Sequence, residues 1–398
     1  GWIRKNRMAV GGFYASAQTD FMSLESLHRF LYSAASRMPR EFGLETDTAL
    51  LDDVPGFAWA LVDVMAKSGM PYLILGPNGF RSNMADEAPI LFRLEGPSGG
   101  RILAFHTMHY YQDFDLMREK DLVSVDDGER KIAPYFDRFE RADYPFDAIL
   151  LQAALDLNPP WKQLPEAVRR WNATWAYPKL RMATAPEFFH YIEKHPLKDR
   201  IPRLRGGAPD SWADLHIAEA NAAALARQAH ERLPDAERLA TAAHLAAGEP
   251  AFNREFQEAY DRLSLWEEHT FEWSGDRADI YVDESRGGGR QHWEEKKGHA
   301  EAAHAVAARL QSRAVQALSR NIELRGPLSV IIWNPLSWTR TDVVRLPLPK
   351  AAGRPFRLVD AGTGREVPYQ IQDRPGESPT VVFLAAGVPP LGYRTFII

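Results

Sequence analysis

The sequence predicts a chain in three parts: an α/β region read as a partial (β/α) barrel at 1–200, a three-helix bundle at 201–324, and an incomplete β-rich domain at 325–398. Three observations carry this reading. From about residue 8 to 195, short apolar runs alternate with amphipathic stretches, as parallel strands covered by helices do. Three long stretches of helical periodicity come next. Beyond about 325 the segments are short, β-branched and parted by Pro, Gly and Asp, which marks antiparallel strands. A chain of 398 residues holds two or three domains at roughly 100–200 residues each.

In the first part, candidate strands fall at 8–10, 73–75, 102–105 and 148–152, each a short apolar run entering a polar or Gly/Pro-containing turn. Helices are expected at 24–36, 58–68 and 161–171, the last opened by Pro159 and Pro160. Between 196 and 212, Pro202, Gly206, Gly207, Pro209 and Asp210 break the periodicity and mark a boundary. The long helices are expected at about 213–246, 251–268 and 292–321, with a mobile loop at Gly287, Gly288 and Gly289 before the last. In the second of them Phe252, Phe256, Ala259, Tyr260, Leu263 and Trp266 recur at steps of three and four, which predicts one buried stripe. Strands at 328–333, 342–346 and 380–384 complete the chain, in which no internal repeat or low-complexity segment occurs.

Composition narrows the function. With 45% hydrophobic and 25% charged residues the chain can bury a substantial core and has no bias toward disorder. A net charge of −5 supplies no basic field, which argues against nucleic acid and for a small neutral substrate. No run of about 18 apolar residues predicts a membrane span. Cysteine is absent, so any metal must be held by His, Asp or Glu, a ligand choice that points to catalysis rather than to a structural staple. The first residue is Gly1, so the natural chain is expected to extend upstream.

Three places could carry chemistry. In Leu51-Asp52-Asp53-Val54-Pro55-Gly56-Phe57, two acids precede Pro and Gly just before a helix, which puts a carboxylate at a sharp turn. The same residues could serve only as a helix cap or turn. Asp156 lies four residues past the apolar run 148–152, at its carboxyl end, and enters Asn158, Pro159 and Pro160, where α/β folds place functional groups and where turn residues also occur. His269, one turn beyond Leu265 and next to Glu267 and Glu268, sits near the buried stripe, where carboxylates could fix its tautomer. A structural histidine is the alternative. His106 and His109 straddle a strand end with Tyr110 and Tyr111, and His106, Tyr110, Tyr111 and Trp161 are the substrate-binding candidates. His216, His230, His244, His299 and His304 read as helix-surface residues. There is no HExxH, no GxSxG and no phosphate-cradling loop.

In order and surroundings these segments resemble glycoside hydrolase family 38, the class II α-mannosidases, and in particular its bacterial branch. The likeness runs from Met8 through Gly11, Gly12 and Phe13, the acid turn from Asp53 to Gly56 and Ala58, Ser68-Gly69-Met70 and the strand after it, to Asp156. It continues through Trp171-Asn172, Thr184 with Phe188, the loop from Gly206 to Trp212, Glu268-His269-Thr270 and Trp333-Asn334-Pro335-Leu336-Ser337. The resemblance implies a (β/α)7-type barrel, a helical bundle and a β-sandwich region. It also implies zinc-dependent retaining hydrolysis of α-mannosidic bonds in a mannose-containing glycan. Asp53 would be nucleophile and zinc ligand, Asp156 the acid/base and His269 a further zinc ligand.

The departures are specific. The family takes two more zinc ligands from a His-x-Asp motif near its start, and no such motif occurs in this chain, so the fragment by itself is expected to be inactive. Phe57 and Ala58 stand where many members have His or Ser, and Thr270 stands where the eukaryotic branch has Asp. Two rival readings stay open: a degenerate or non-catalytic carbohydrate-binding member, and a metal-dependent polysaccharide deacetylase, which would need a His-rich motif not found here. The sequence leaves linkage, oligomeric state and compartment open.

Overall fold

The computed structural model describes residues 2–5, 7–77, 89–107, 110, 118–119, 122–123, 132, 135–153, 162–208, 212, 216, 219–270, 288–324, 326, 328–348, 355–373, 376 and 378–398. Asp156, Tyr111, Trp161 and His109 lie outside them. The chain divides into two compact units, Gly1–Ala224 with Tyr260–Ala300, and Leu225–Ala259 with Glu301–Ile398.

The first unit is built on a mixed five-stranded sheet in the order β1 (Thr48–Asp52), β2 (Tyr72–Gly76), β4 (Arg101–His106), β3 (Leu91–Glu95), β7 (Arg203–Arg205). β1, β2 and β4 run parallel, while β3 is antiparallel to β4 and parallel to β7. Outside it, β5 (Arg118–Glu119) and β6 (Leu122–Val123) form a short antiparallel pair.

Because strand side chains alternate between faces, each strand feeds two cores. Ala49, Leu51, Leu73, Leu75, Ile102 and Ala104 pack on one face against α1 (Leu24–Tyr32) and α3 (Trp59–Lys67), through Leu27, Phe30, Leu61, Val62 and Met65. A π turn joins α1 to α2 (Met38–Phe42). Ile74, Leu91, Leu103 and Phe105 pack on the other face. Their partners there are Phe188, Phe189 and Ile192 of α5 (Ala185–Lys194), which follows α4 (Leu164–Thr174). A sheet buried on both faces explains the continuous apolar runs of β2 and β4.

Two expected strands form no ladder. Residues 8–10 receive one bond beside β1, from Thr46 Oγ1 to the Val10 carbonyl at 2.6 Å, and just past them the Gly12 amide donates to the Thr48 carbonyl at 2.9 Å. Residues 148–152 likewise stand outside the sheet's pairing. Conversely, β1, β3 and β7 were not legible as strands, since none is a long apolar run.

Three long helices follow in sequence: α6 (Ala220–Ala247), α7 (Asn253–Glu267) and α8 (Gly288–Ser319). The expected stripe of α7 is buried, from Phe252 at 6% exposure to Ala259 at 0%. The loop expected at 287–289 is corrected in part, because α8 already begins at Gly288. Glycine is poor in a helix interior but costs little at an end, once a long helix has nucleated.

In the second unit two three-stranded antiparallel sheets form. β10 (Val359–Asp360), β13 (Gly392–Ile397) and β8 (Ser329–Asn334) make one; β11 (Tyr369–Gln372), β12 (Thr380–Val388) and β9 (Arg340–Pro347) make the other. Val381, Phe383 and Ala385 alternate inward along β12 and share one core with Phe396 of β13 and with Leu358. The Phe383 and Phe396 rings meet edge-on, 5.0 Å apart. Among the described residues, no helix is long and apolar enough to cross a membrane.

Candidate active site

The site starts where β1 ends. Asp53, the first residue past the strand, adopts φ 60° in the left-handed region, and its amide donates to the Gly76 carbonyl at 2.7 Å. Only Gly, Asn and Asp visit this region readily, because a short polar side chain can bond locally. The turn swings the Asp53 carboxylate out of the strand's alternation. Val54 and Phe57 anchor the following residues in the core, and Phe57 bridges to Ala208. Gly207 allows that approach: a Cβ there would lie 2.8 Å from the Phe57 carbonyl and 2.9 Å from the Trp59 amide.

His269 arrives just beyond α7, and Nε2 meets Asp53 Oδ2 at 3.1 Å across 216 residues of sequence. Nδ1 faces Glu268 Oε1 at 2.9 Å and the Ser16 carbonyl at 3.1 Å. The segment is pinned by a backbone bridge between Ala17 and Glu268, by Gln18 N–H to the Glu267 carbonyl at 2.8 Å, and by His269 N–H to Ser16 at 3.0 Å. Ser16 also accepts the Asp52 amide on its hydroxyl at 3.3 Å, so one residue ties the strand end to the histidine. Trp212 is buried nearby, its ring centroid 6.4 Å from that of His269.

Among the described residues the atoms within hydrogen-bond reach of the ring nitrogens are acceptors, so the metal-free ring is best satisfied as an imidazolium donating from both nitrogens. Burial alone would lower its pKa, but the bonds to Asp53 and Glu268 outweigh this and push it up to about 10. Burial would raise Glu268, yet its bond from His269 and the nearby Lys296 ammonium bring it down to about 2. The Asp53 and His269 side chains remain 21% and 13% exposed, so the pair is open to a ligand.

A metal could replace the shared proton. Two ligands of one tetrahedral zinc, each about 2.0–2.2 Å from it, are themselves about 3.4 Å apart, close to the separation seen here. An imidazole nitrogen and a carboxylate oxygen, with the other ring nitrogen held by a carboxylate, are the donor set and outer support that catalytic zinc takes. The set is partial: among the described residues no group of three or more His, Asp or Glu is arranged to hold a metal ion.

The other predicted residues fall on two sides. His106 closes β4 and Tyr110 follows it, both buried, at 3% and 6% exposure. Among the described residues neither ring nitrogen of His106 has a hydrogen-bond partner, and burial, helped by the Arg138 charge, lowers its pKa to about 4. Tyr110 lies at Gly76, where an added Cβ would come 2.9 Å from its own Cβ. Sequence reasoning missed Ser16, Gln152 and Lys296, of which only Lys296 left a signal, a charge in the apolar register of α8. His216 and His230 are corrected: both are buried, and His216 stacks on Phe21 at 3.8 Å.

The family model for the glycosyl hydrolases family 38 N-terminal domain matches residues 1–207. The chain belongs to glycoside hydrolase family 38. A search of curated protein sequences finds no match. Among solved structures, an alpha-mannosidase from Enterococcus faecalis V583 superposes with a TM-score of 0.69 at 15% identity, over 99% of this chain and 48% of the other. The family 38 chain thus spans about half the length of that structure and shares its fold, a mixed sheet with helices followed by antiparallel sheets.

Proposed function

We propose that this family 38 chain carries part of the catalytic centre of a zinc-dependent retaining α-mannosidase acting on a mannose-containing glycan. The observation that carries the reading is the meeting of Asp53 and His269 at 3.1 Å, from elements 216 residues apart. In this reading the mixed sheet belongs to a (β/α)7-type barrel, the long helices form a three-helix bundle that brings in His269, and the antiparallel sheets open a β-sandwich region.

Asp53 attacks the anomeric carbon as the glycosidic C–O bond breaks, and Asp156 gives its proton to the departing oxygen. A glycosyl ester on Asp53 results. Water then attacks the same carbon, Asp156 takes its proton, and Asp53 leaves, so two inversions retain configuration. Retention needs the two carboxyl groups about 5–5.5 Å apart. Asp53 and His269 would hold zinc, which supplies a template for sugar hydroxyls when bound. Tyr111 and Trp161 would line the sugar site, and His106 and Tyr110, buried at 3% and 6% exposure, would back it rather than face solvent.

The test uses the full-length protein with an aryl α-mannoside, with and without a chelator, and follows the first-formed anomer by NMR. Chelator-sensitive release of the α-anomer is expected. Release of the β-anomer would overturn the retaining mechanism, and full activity after metal removal would overturn the zinc assignment. Glycan binding without turnover would favour a non-catalytic member.

A further inference from the structure

A lysine sits where the helix pattern calls for a small apolar residue. Along α8 the buried face runs through Ala300, Ala303, Ala307 and Leu310, and Lys296 lies one turn before Ala300 on the same face, at 3% exposure. Burying an ammonium is costly unless each of its donors is met. Here they are. Nζ lies 2.7 Å from the Leu265 carbonyl, 2.7 Å from the Glu268 carbonyl and 3.2 Å from Glu268 Oε2.

Leu265 lies in the last turn of α7 and Glu268 is the residue just past it, where carbonyls have no intrahelical partner and the helix dipole favours a cation. The third contact does more than cap a helix. Glu268 is also held by the Thr270 amide at 3.1 Å and by the Thr270 hydroxyl, and its Oε1 faces Nδ1 of His269 at 2.9 Å. The contacts form one file, Lys296 to Glu268 to His269 to Asp53.

We propose that Lys296 is a positioning residue that, through Glu268, fixes the orientation and tautomer of His269 so that Nε2 is presented to the metal opposite Asp53. This rests on the zinc-site reading above. The alternative is that Lys296 only caps α7.

The experiment is a double-mutant cycle in the full-length protein: Lys296→Met, Glu268→Gln and the pair. For each, zinc affinity is measured by competition with a chromophoric chelator, thermal unfolding is followed on the metal-free protein, and kcat and KM are measured on an aryl α-mannoside. Each single variant should weaken zinc roughly 10–100-fold, the usual cost of losing an outer-sphere partner, and the double should be no worse than the weaker single. kcat should fall more than KM rises. If Lys296→Met does not fold, Lys296→Gln, which keeps donors for the carbonyls but removes the charge, takes its place. Additive losses, or lower thermal stability with native zinc affinity, would overturn the proposal and leave Lys296 a helix cap. A wild-type protein that binds no zinc would remove the underlying reading as well, which separates the two failures.

Discussion

Gln152 holds Asp52 by both carboxylate oxygens, its Nε2 lying 2.8 Å from Oδ1 and 3.0 Å from Oδ2. The amide is oriented from behind by Thr107, whose hydroxyl lies 3.2 Å from Gln152 Oε1 and 3.1 Å from the Leu75 carbonyl. Asp52 is thereby fixed immediately before the left-handed turn at Asp53, so the direction of the Asp53 side chain depends on this network as well as on the backbone.

Gly76 makes the network possible. A Cβ at that position would run into Asp52 Oδ1 and come within 2.9 Å of Gln152 Oε1 and of Tyr110 Cβ. Gly76→Ala should therefore cost about 1–3 kcal/mol by overpacking and lower kcat by displacing the Asp53 turn. Denaturant melts with steady-state kinetics on the full-length protein check this. Unchanged values for both would mean that the network yields freely.

In the proposed mechanism Asp53 forms the glycosyl ester, so Asp53→Ala should abolish turnover on every substrate. Asp156→Ala should retain far more activity on an activated aryl mannoside than on a disaccharide, since a good leaving group needs little protonation. Azide should recover part of its second step. Equal loss on both substrates would make Asp156 a turn residue.

His106 should make the fold acid-sensitive. Its pKa is lowered from 6.5 to about 4 in the folded chain, so between those values the unfolded state binds the extra proton and stability falls as pH falls. The loss approaches about 3 kcal/mol below both values. His106→Leu should remove most of that slope in melts between pH 7 and 4; an unchanged slope would assign it to other groups.

Asp63 staples α3 to the turn joining β3 and β4, accepting the Ser98 amide at 2.7 Å and the Gly100 amide at 2.8 Å. Burial would raise its pKa, but these bonds hold it below the ordinary value of 3.8. The stabilisation is therefore complete above that value and is lost as pH falls through the lower folded one. Asp63→Ala should cost about 2 kcal/mol at neutral pH, measured by urea unfolding. A cost near zero would mean that water replaces the carboxylate.

The sequence by itself determined the local burial pattern and where helices give way to antiparallel strands. The stripe from Phe252 to Trp266 is buried as its spacing requires, and the β segments near 328–333, 342–346 and 380–384 all lie in ladders. Such features are local, because a helix or strand registers its buried face in the spacing of its own residues. The acid turn at Asp53 was legible for the same reason, since Asp, Pro and Gly encode backbone shape.

Only the tertiary structure decided the partners. The family resemblance paired Asp53 with His269 as ligands of one metal, but no local pattern near Asp53 specifies it, and the 3.1 Å contact is a product of the fold; the short strands β1, β3 and β7 became strands because neighbours offered them hydrogen bonds, not because their residues repeat. His216 and His230 looked like surface residues until packing covered them, and Lys296 looked like one more helix charge. A polar side chain carries no periodic signal of its own: whether it is solvated, buried or poised depends on which acceptors the folded chain brings within about 3 Å of it.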